Sequence, residues 1–151
     1  MEPTELISMA TPNSYWLLAT AAIALIISLI EAWIVSLIYY LRVQFLKKIF
    51  PSPHQLIRSH VDYCIMAGLL GLFFVSVEAV DIVLPNIILI LICVGALYNP
   101  APFILVAMKP EGAESRKDID LLGGIVICIG FLPVTIGYGY TSFAILAKLF
   151  G

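Results

Sequence analysis

The sequence predicts an all-α integral membrane protein, a bundle of four spanning helices, and three observations carry that prediction. The 151 residues are 62% hydrophobic and only 12% charged, with a mean hydropathy of +1.06; a water-soluble domain of this length needs far more polar surface. The apolar residues gather into four runs, each near or above the ~20 residues that cross a bilayer as a helix. No run shows the strict period-two alternation of a membrane barrel, and within lipid a helix satisfies its own backbone. The spans are placed at Tyr15–Leu41, Val61–Val83, Asn86–Met108 and Leu121–Leu149, in one domain covering residues 1–151.

Charge orients them. The first polar loop carries Arg42, Lys47, Lys48 and Arg58, and the third carries Lys109, Arg116 and Lys117. The N-terminus holds Glu2 and Glu5 without Lys or Arg, and the second turn has no positive charge. Positive loops stay inside, so loops one and three are expected in the cytoplasm of a cell (inner) membrane, with both termini outside. Lys148 alone opposes this. The N-terminus lacks a basic region and a small-residue cleavage site, so no cleavable signal peptide is expected. No phosphate loop, GxGxxG or nucleophile elbow occurs, and nothing points to nucleic acid; the bilayer is the first partner.

The first span buries an ionisable group. Glu31 lies more than ten residues from either end of the run, with Ala24, Ile27, Ser28, Ile34, Val35 and Ile38 on its face. A carboxyl at that depth is either hydrogen-bonded to another helix or functional. Glu78 and Asp81, near the end of the second span, fit the outer interface.

The second span follows "FPSPHQ", read as a proline-broken loop that exposes His54. His60 then opens a helical face continued by Tyr63, Cys64, Ala67, Gly68 and Gly71. After the histidine and tyrosine that face is nearly bare. It suits either tight helix packing or a slot for a flat ligand, with the imidazole placed as an axial ligand to a haem iron; the plain alternative is an interfacial histidine bonded to a loop. Asp62 is near enough in sequence to support it. With only two histidines in the chain, one ligand per chain and an open sixth position is the natural arithmetic.

The third span contains "GALYNPAPF". Pro100 and Pro102 each remove a donor and clash with the preceding turn, so this helix kinks and frees carbonyls near Ala96 and Tyr98. Tyr98 and Asn99 sit at that irregular point and are the candidate pocket residues. The fourth span holds "TIGYG", Thr135 to Gly139, which has the letters of a potassium filter. Only twelve residues follow Gly139, too few for an inner helix. Gly130, Gly137 and Gly139 are read instead as sites of close helix approach, with Gly137 and Thr141 as a small-xxx-small pair. The cysteines, Cys64, Cys93 and Cys128, are read as small buried apolar residues.

The four spans and the run "FPSPHQLIRSH" resemble the styrene oxide isomerase family, over roughly Phe50 to Leu149. The loop-plus-histidine motif is the specific part; "GALYNPAPF" is loosely similar to that family's Gly- and Asn-containing stretch. The resemblance implies haem b at the subunit contacts of a homo-oligomer, a trimer, with His60 ligating the iron and Arg58 and Gly68 beside the cofactor. It implies a small hydrophobic epoxide as substrate, ferric haem as a Lewis acid, and an epoxide-to-carbonyl isomerisation without net redox change. Tyr98 and Asn99 would serve as catalytic residues in the distal pocket. The sequence departs from the family where an asparagine is expected after the histidine, which here is Met66, and where a tyrosine is expected, which falls at Phe103. The rival expectations are a non-enzymatic four-helix subunit or assembly factor of a membrane complex, and a small proton-coupled transporter using Glu31.

Overall fold

The computed structural model describes residues 14–109 and 122–151. Within them lie six helical segments: α1 (Tyr15–Tyr39), α2 (Gln44–Ile49), α3 (Pro53–Ala79), α4 (Asn86–Tyr98), α5 (Ala101–Ala107) and α6 (Leu122–Phe150). No strand occurs among the described residues. Four stretches are long and apolar enough to cross a membrane, with α4 and α5 together forming the third. The protein is an all-α, multi-pass membrane protein. The N-terminal acids, Arg116, Lys117 and the expected start of the last span at Leu121 lie outside the described residues.

Several boundaries differ from the sequence expectation, among them the end of the second span, at Ala79 and not Val83. The first helix stops at Tyr39, where Arg42 turns the chain with a φ of 51°. The second spanning helix begins eight residues before Val61: Pro53 is its first residue, and "PHQLIRSH" is helical, not loop. Proline is well suited to a first helical turn, where its missing N–H has no intrahelical partner to lose. Ser52 precedes it and ties the start of α3 to the end of α5, its N–H donating to Ala107 O at 3.1 Å and its hydroxyl to Lys109 O at 2.9 Å. Those are carbonyls that a helix end leaves without internal partners. Asp81, with φ 51°, closes α3 as Ile82 N–H returns to Val77 O at 2.9 Å.

The helices run up-down-up-down and pack as two close pairs, α1 with α3 and α4 with α6. The α4–α6 pair is a glycine seam. A Cβ on Gly95 would sit 2.8 Å from Val134 N, and one on Gly137 would meet Ile92 Cγ1 and lie 3.1 Å from Ile92 N. "TIGYG" is therefore part of one continuous helix: Gly137 faces α4, Thr141 is buried and donates to Gly137 O at 2.9 Å, and Gly139 meets nothing within 4 Å. Of the three glycines expected at close contacts, Gly139 is the exception. The pairs join through a core of Leu17, Leu70, Val77, Ile88, Leu89 and Ile92. Tyr138 crosses to α3, its ring 5.0 Å from that of Phe73 and its hydroxyl donating to Met66 Sδ at 3.5 Å.

Candidate functional site

Polar side chains in the apolar interior concentrate between α1 and α3, beside the break that separates α4 from α5. Ser28 and Glu31 come from α1. Ser59, His60, Tyr63 and Cys64 come from successive turns of α3. The prolines of the third span supply the remaining acceptors: the helix stops at Tyr98 and resumes at Ala101, so carbonyls at the break are open to side chains.

His60 is held from α1. Its Nδ1 lies 2.9 Å from Ser28 O and 2.8 Å from Ser28 Oγ. A carbonyl oxygen only accepts, so the bond to Ser28 O forms in the tautomer that carries its hydrogen on Nδ1, and in that neutral tautomer Nε2 keeps its lone pair. A backbone carbonyl on one ring nitrogen is the usual way a protein orients a histidine whose other nitrogen binds a metal. Nε2 lies 4.0 Å from Cys64 Sγ, and Ser28 Oγ is 2.9 Å from the same sulfur. One turn on, Gly68 is exposed and its Cβ position is open, with nothing within 4 Å. Of the face read from the sequence, Cys64 and Gly68 are exposed, Ala67 and Gly71 are half-buried, and Tyr63 turns inward to the break. The histidine is bonded to the middle of another spanning helix, not to a loop.

Two partners of the break lie one residue apart from this histidine or one turn from it. Ser59, fully buried, donates to Pro100 O at 3.3 Å. Tyr63, 2% exposed, donates to Leu97 O at 2.9 Å. Arg58 points elsewhere: its guanidinium lies over the Phe103 ring, 5.6 Å from the centroid. The segment "PSPHQLIRSH" therefore works as a strap on α5, with Ser52, Arg58 and Ser59 engaging it in turn, while His60 reaches α1.

Glu31 is the anomaly. It is 3% exposed, lies beside Ser59 and His60, and neither carboxyl oxygen has a hydrogen-bond partner among the described residues. Of the two readings, a bond to another helix has one available partner, Ser59 of α3. Ser59, the nearby hydroxyl, is turned to Pro100 instead.

Tyr98 and Asn99 are placed at the break, as expected, but against α6. A Cβ at Gly130 would lie 3.4 Å from the Tyr98 ring and 3.6 Å from Asn99 Oδ1. Neither is hydrogen-bonded to His60; the link runs through Ser59 and Pro100. The cysteines are not buried as expected: Cys64 and Cys128 face outward, Cys93 is intermediate, and all are free thiols. No group of three or more His, Cys, Asp or Glu side chains that could hold a metal ion by themselves occurs among the described residues. His54 lies in the first turn of α3, exposed, with Gln55 Nε2 3.1 Å from its Nε2.

Sequence reading missed Ser59, and it placed Tyr63 on the face of His60 without its bond to the break in the third span. The signal for Ser59 was its i, i+4 spacing from Tyr63, which puts the two on one side of α3. Comparison with family profiles, curated proteins and solved structures returns no match.

Proposed function

We propose that this chain is a membrane haem b enzyme of the styrene oxide isomerase type, acting on a small hydrophobic epoxide. The observation that carries the reading is His60: its Nδ1 is anchored on the Ser28 carbonyl, which leaves Nε2 on a face that is open at Gly68. A flat macrocycle needs such a surface, and Gly68 adds no side chain to obstruct it. When bound, ferric haem would supply a Lewis acid able to open an epoxide and isomerise it to a carbonyl compound. His60 would hold the iron and Ser28 would orient its ring; Arg58, the cation the resemblance puts beside a haem carboxylate, lies over Phe103 and would have to leave that ring to serve. Tyr98 and Asn99 are the candidates for orienting the substrate oxygen. Because they face α6 and His60 is held against α1, a homo-oligomer is the assembly in which both could border one pocket. The same reading puts the protein in a cell membrane with its termini outside, on the strength of the basic first loop.

The test is an absorption spectrum of the full chain purified after expression with ample haem. A Soret band that His60→Ala abolishes supports the site. Colourless wild-type protein refutes it. Coloured protein that converts no aryl or alkyl epoxide refutes the isomerase step and leaves the haem site standing.

Glu31 favours one second reading, a small proton-coupled transporter, because a buried carboxyl without a partner is what such a carrier loads and unloads. Proton-linked flux in liposomes, lost in Glu31→Gln, would select it over the enzyme.

A further inference from the structure

The two helix pairs do not close completely on one another. Along the seam between α1 and α4 runs a groove of about 540 Å³, lined among others by Trp16, Ala19, Thr20, Cys93, Val94 and Leu97. None of its lining side chains belongs to the Ser28–Glu31–His60 cluster. We propose that this groove holds one acyl chain of a bilayer lipid, with the headgroup end at Trp16 and Asn86.

Depth is the first argument. The groove extends along α4 from Asn86, the first residue of that helix, to Leu97. At ~1.5 Å per residue that distance is roughly 16 Å, about half of the ~30 Å hydrocarbon core. The groove is one leaflet deep. Its mouth carries Trp16, in the first turn of α1, and tryptophan is favoured at the headgroup level.

The walls give the second argument. The lining is apolar apart from a few groups, and the inner ones are satisfied within the wall. Cys93 Sγ–H donates to Trp16 O at 3.6 Å, and Thr20 is hydrogen-bonded to Cys93. A guest without polar atoms therefore leaves no buried donor or acceptor unpaired, whereas a polar guest would lose its own hydrogen bonds there. The groove is also open sideways: Ile90 is 55% and Val94 56% exposed, so a chain enters laterally from the bilayer and needs no channel.

Position supplies the third. The α1–α4 contact is much thinner than those within the α1–α3 and α4–α6 pairs. A chain seated in the seam touches both pairs and fills space that their side chains leave open.

Trp16 makes this testable, since Trp33 is the only other tryptophan and lies outside the lining. The full chain carrying Trp33→Phe is reconstituted in vesicles of phosphatidylcholine with dibrominated acyl chains, and Trp16 fluorescence is read. The expected result is strong quenching that is largely lost in Ala19→Phe, which fills the groove. Ala19→Leu serves if the larger side chain disturbs folding, as judged by helical circular dichroism. Native mass spectrometry of the protein released from unbrominated vesicles is expected to show one retained phospholipid per chain, absent in the filled variant. Quenching unchanged by both substitutions, a chain released free of lipid, or retention of a non-lipid molecule in its place would each overturn the proposal.

Discussion

The glycine seam between α4 and α6 can be broken by a single methyl group, and the structure says at which glycines. Alanine at Gly95 would place Cβ 2.6 Å from Val134 Cγ2, 2.8 Å from Val134 N and 3.3 Å from Pro133 Cβ. A valine methyl can rotate away; a backbone nitrogen in a helix cannot. Alanine at Gly137 meets Ile92 Cγ1 and lies 3.1 Å and 3.3 Å from Ile92 N and Cα, and Ile92 is fully buried. Both substitutions therefore force the helices apart, at a cost of about 1–3 kcal/mol for overpacking. Alanine gains about 0.5–1 kcal/mol over glycine within a helix, so the net loss is roughly 0–2.5 kcal/mol at each site. Gly68 and Gly139 are the internal controls, because nothing lies within 4 Å of their Cβ positions. There the helical gain stands alone and stability rises by about 0.5–1 kcal/mol. Unfolding in mixed micelles by titrated sodium dodecyl sulfate, followed by circular dichroism, reads all four. If Gly95→Ala and Gly137→Ala unfold no earlier than wild type, or all four variants shift alike, the packing argument is wrong.

Arg42 and Asp81 hold left-handed backbone at φ 51°, so Arg42→Gly and Asp81→Gly are each expected to raise the unfolding midpoint, by about 1 kcal/mol of relieved strain; an unchanged or lower midpoint would contradict this. Tyr63→Phe removes the hydroxyl that satisfies Leu97 O and is expected to cost about 1–3 kcal/mol, because the carbonyl is left unpaired in the interior. The same unfolding titration measures it, and a neutral result would mean that another donor replaces the tyrosine.

Fold class was legible because lipid removes the alternatives: runs of apolar residues of that length must be helices. Helix ends were less so. The start of α3 was misread because Pro53 looks like a breaker, and because His54, Gln55 and Arg58 are too polar for a span. The structure shows that this polar turn packs on α5, with Arg58 over Phe103 and Ser52 on the terminal carbonyls. That is tertiary information. The same limit explains the site. Ser28 was visible as a neighbour of Glu31, and Cys64 as a neighbour of His60, each by spacing along one helix. Which residue of α1 faces which residue of α3 depends on register between antiparallel helices, and no periodicity encodes that. The break at Pro100 was legible from the absent N–H groups alone, but that Tyr98 and Asn99 turn to Gly130 was not. Gly95, unremarked in the sequence, had a usable signal in its Gly-Ala pair at helical spacing from the break.

Glu31 separates a structural from a functional account of the α1–α3 cluster. A side chain 3% exposed with both oxygens unpartnered among the described residues costs about 1–3 kcal/mol for each unsatisfied group. The neighbours that could offset that cost are Ser59 and His60, but the Ser59 hydroxyl donates to Pro100 O, His60 is bonded to Ser28, and Arg58 lies on Phe103. If the carboxyl had no role beyond filling space, leucine, of similar size and at home in an apolar interior, would serve better. Glu31→Leu is therefore expected to stabilise the isolated chain, by about 1–4 kcal/mol on the scale seen when buried ionic groups are replaced by apolar ones. Glu31→Gln, which keeps the shape and brings a donor that Ser59 could accept, should fall between. Higher stability combined with lost function would place Glu31 in the working site, since the chain then keeps it against its own stability. Lower stability in Glu31→Leu would refute the accounting, because a carboxyl that stabilises the fold must already have a partner.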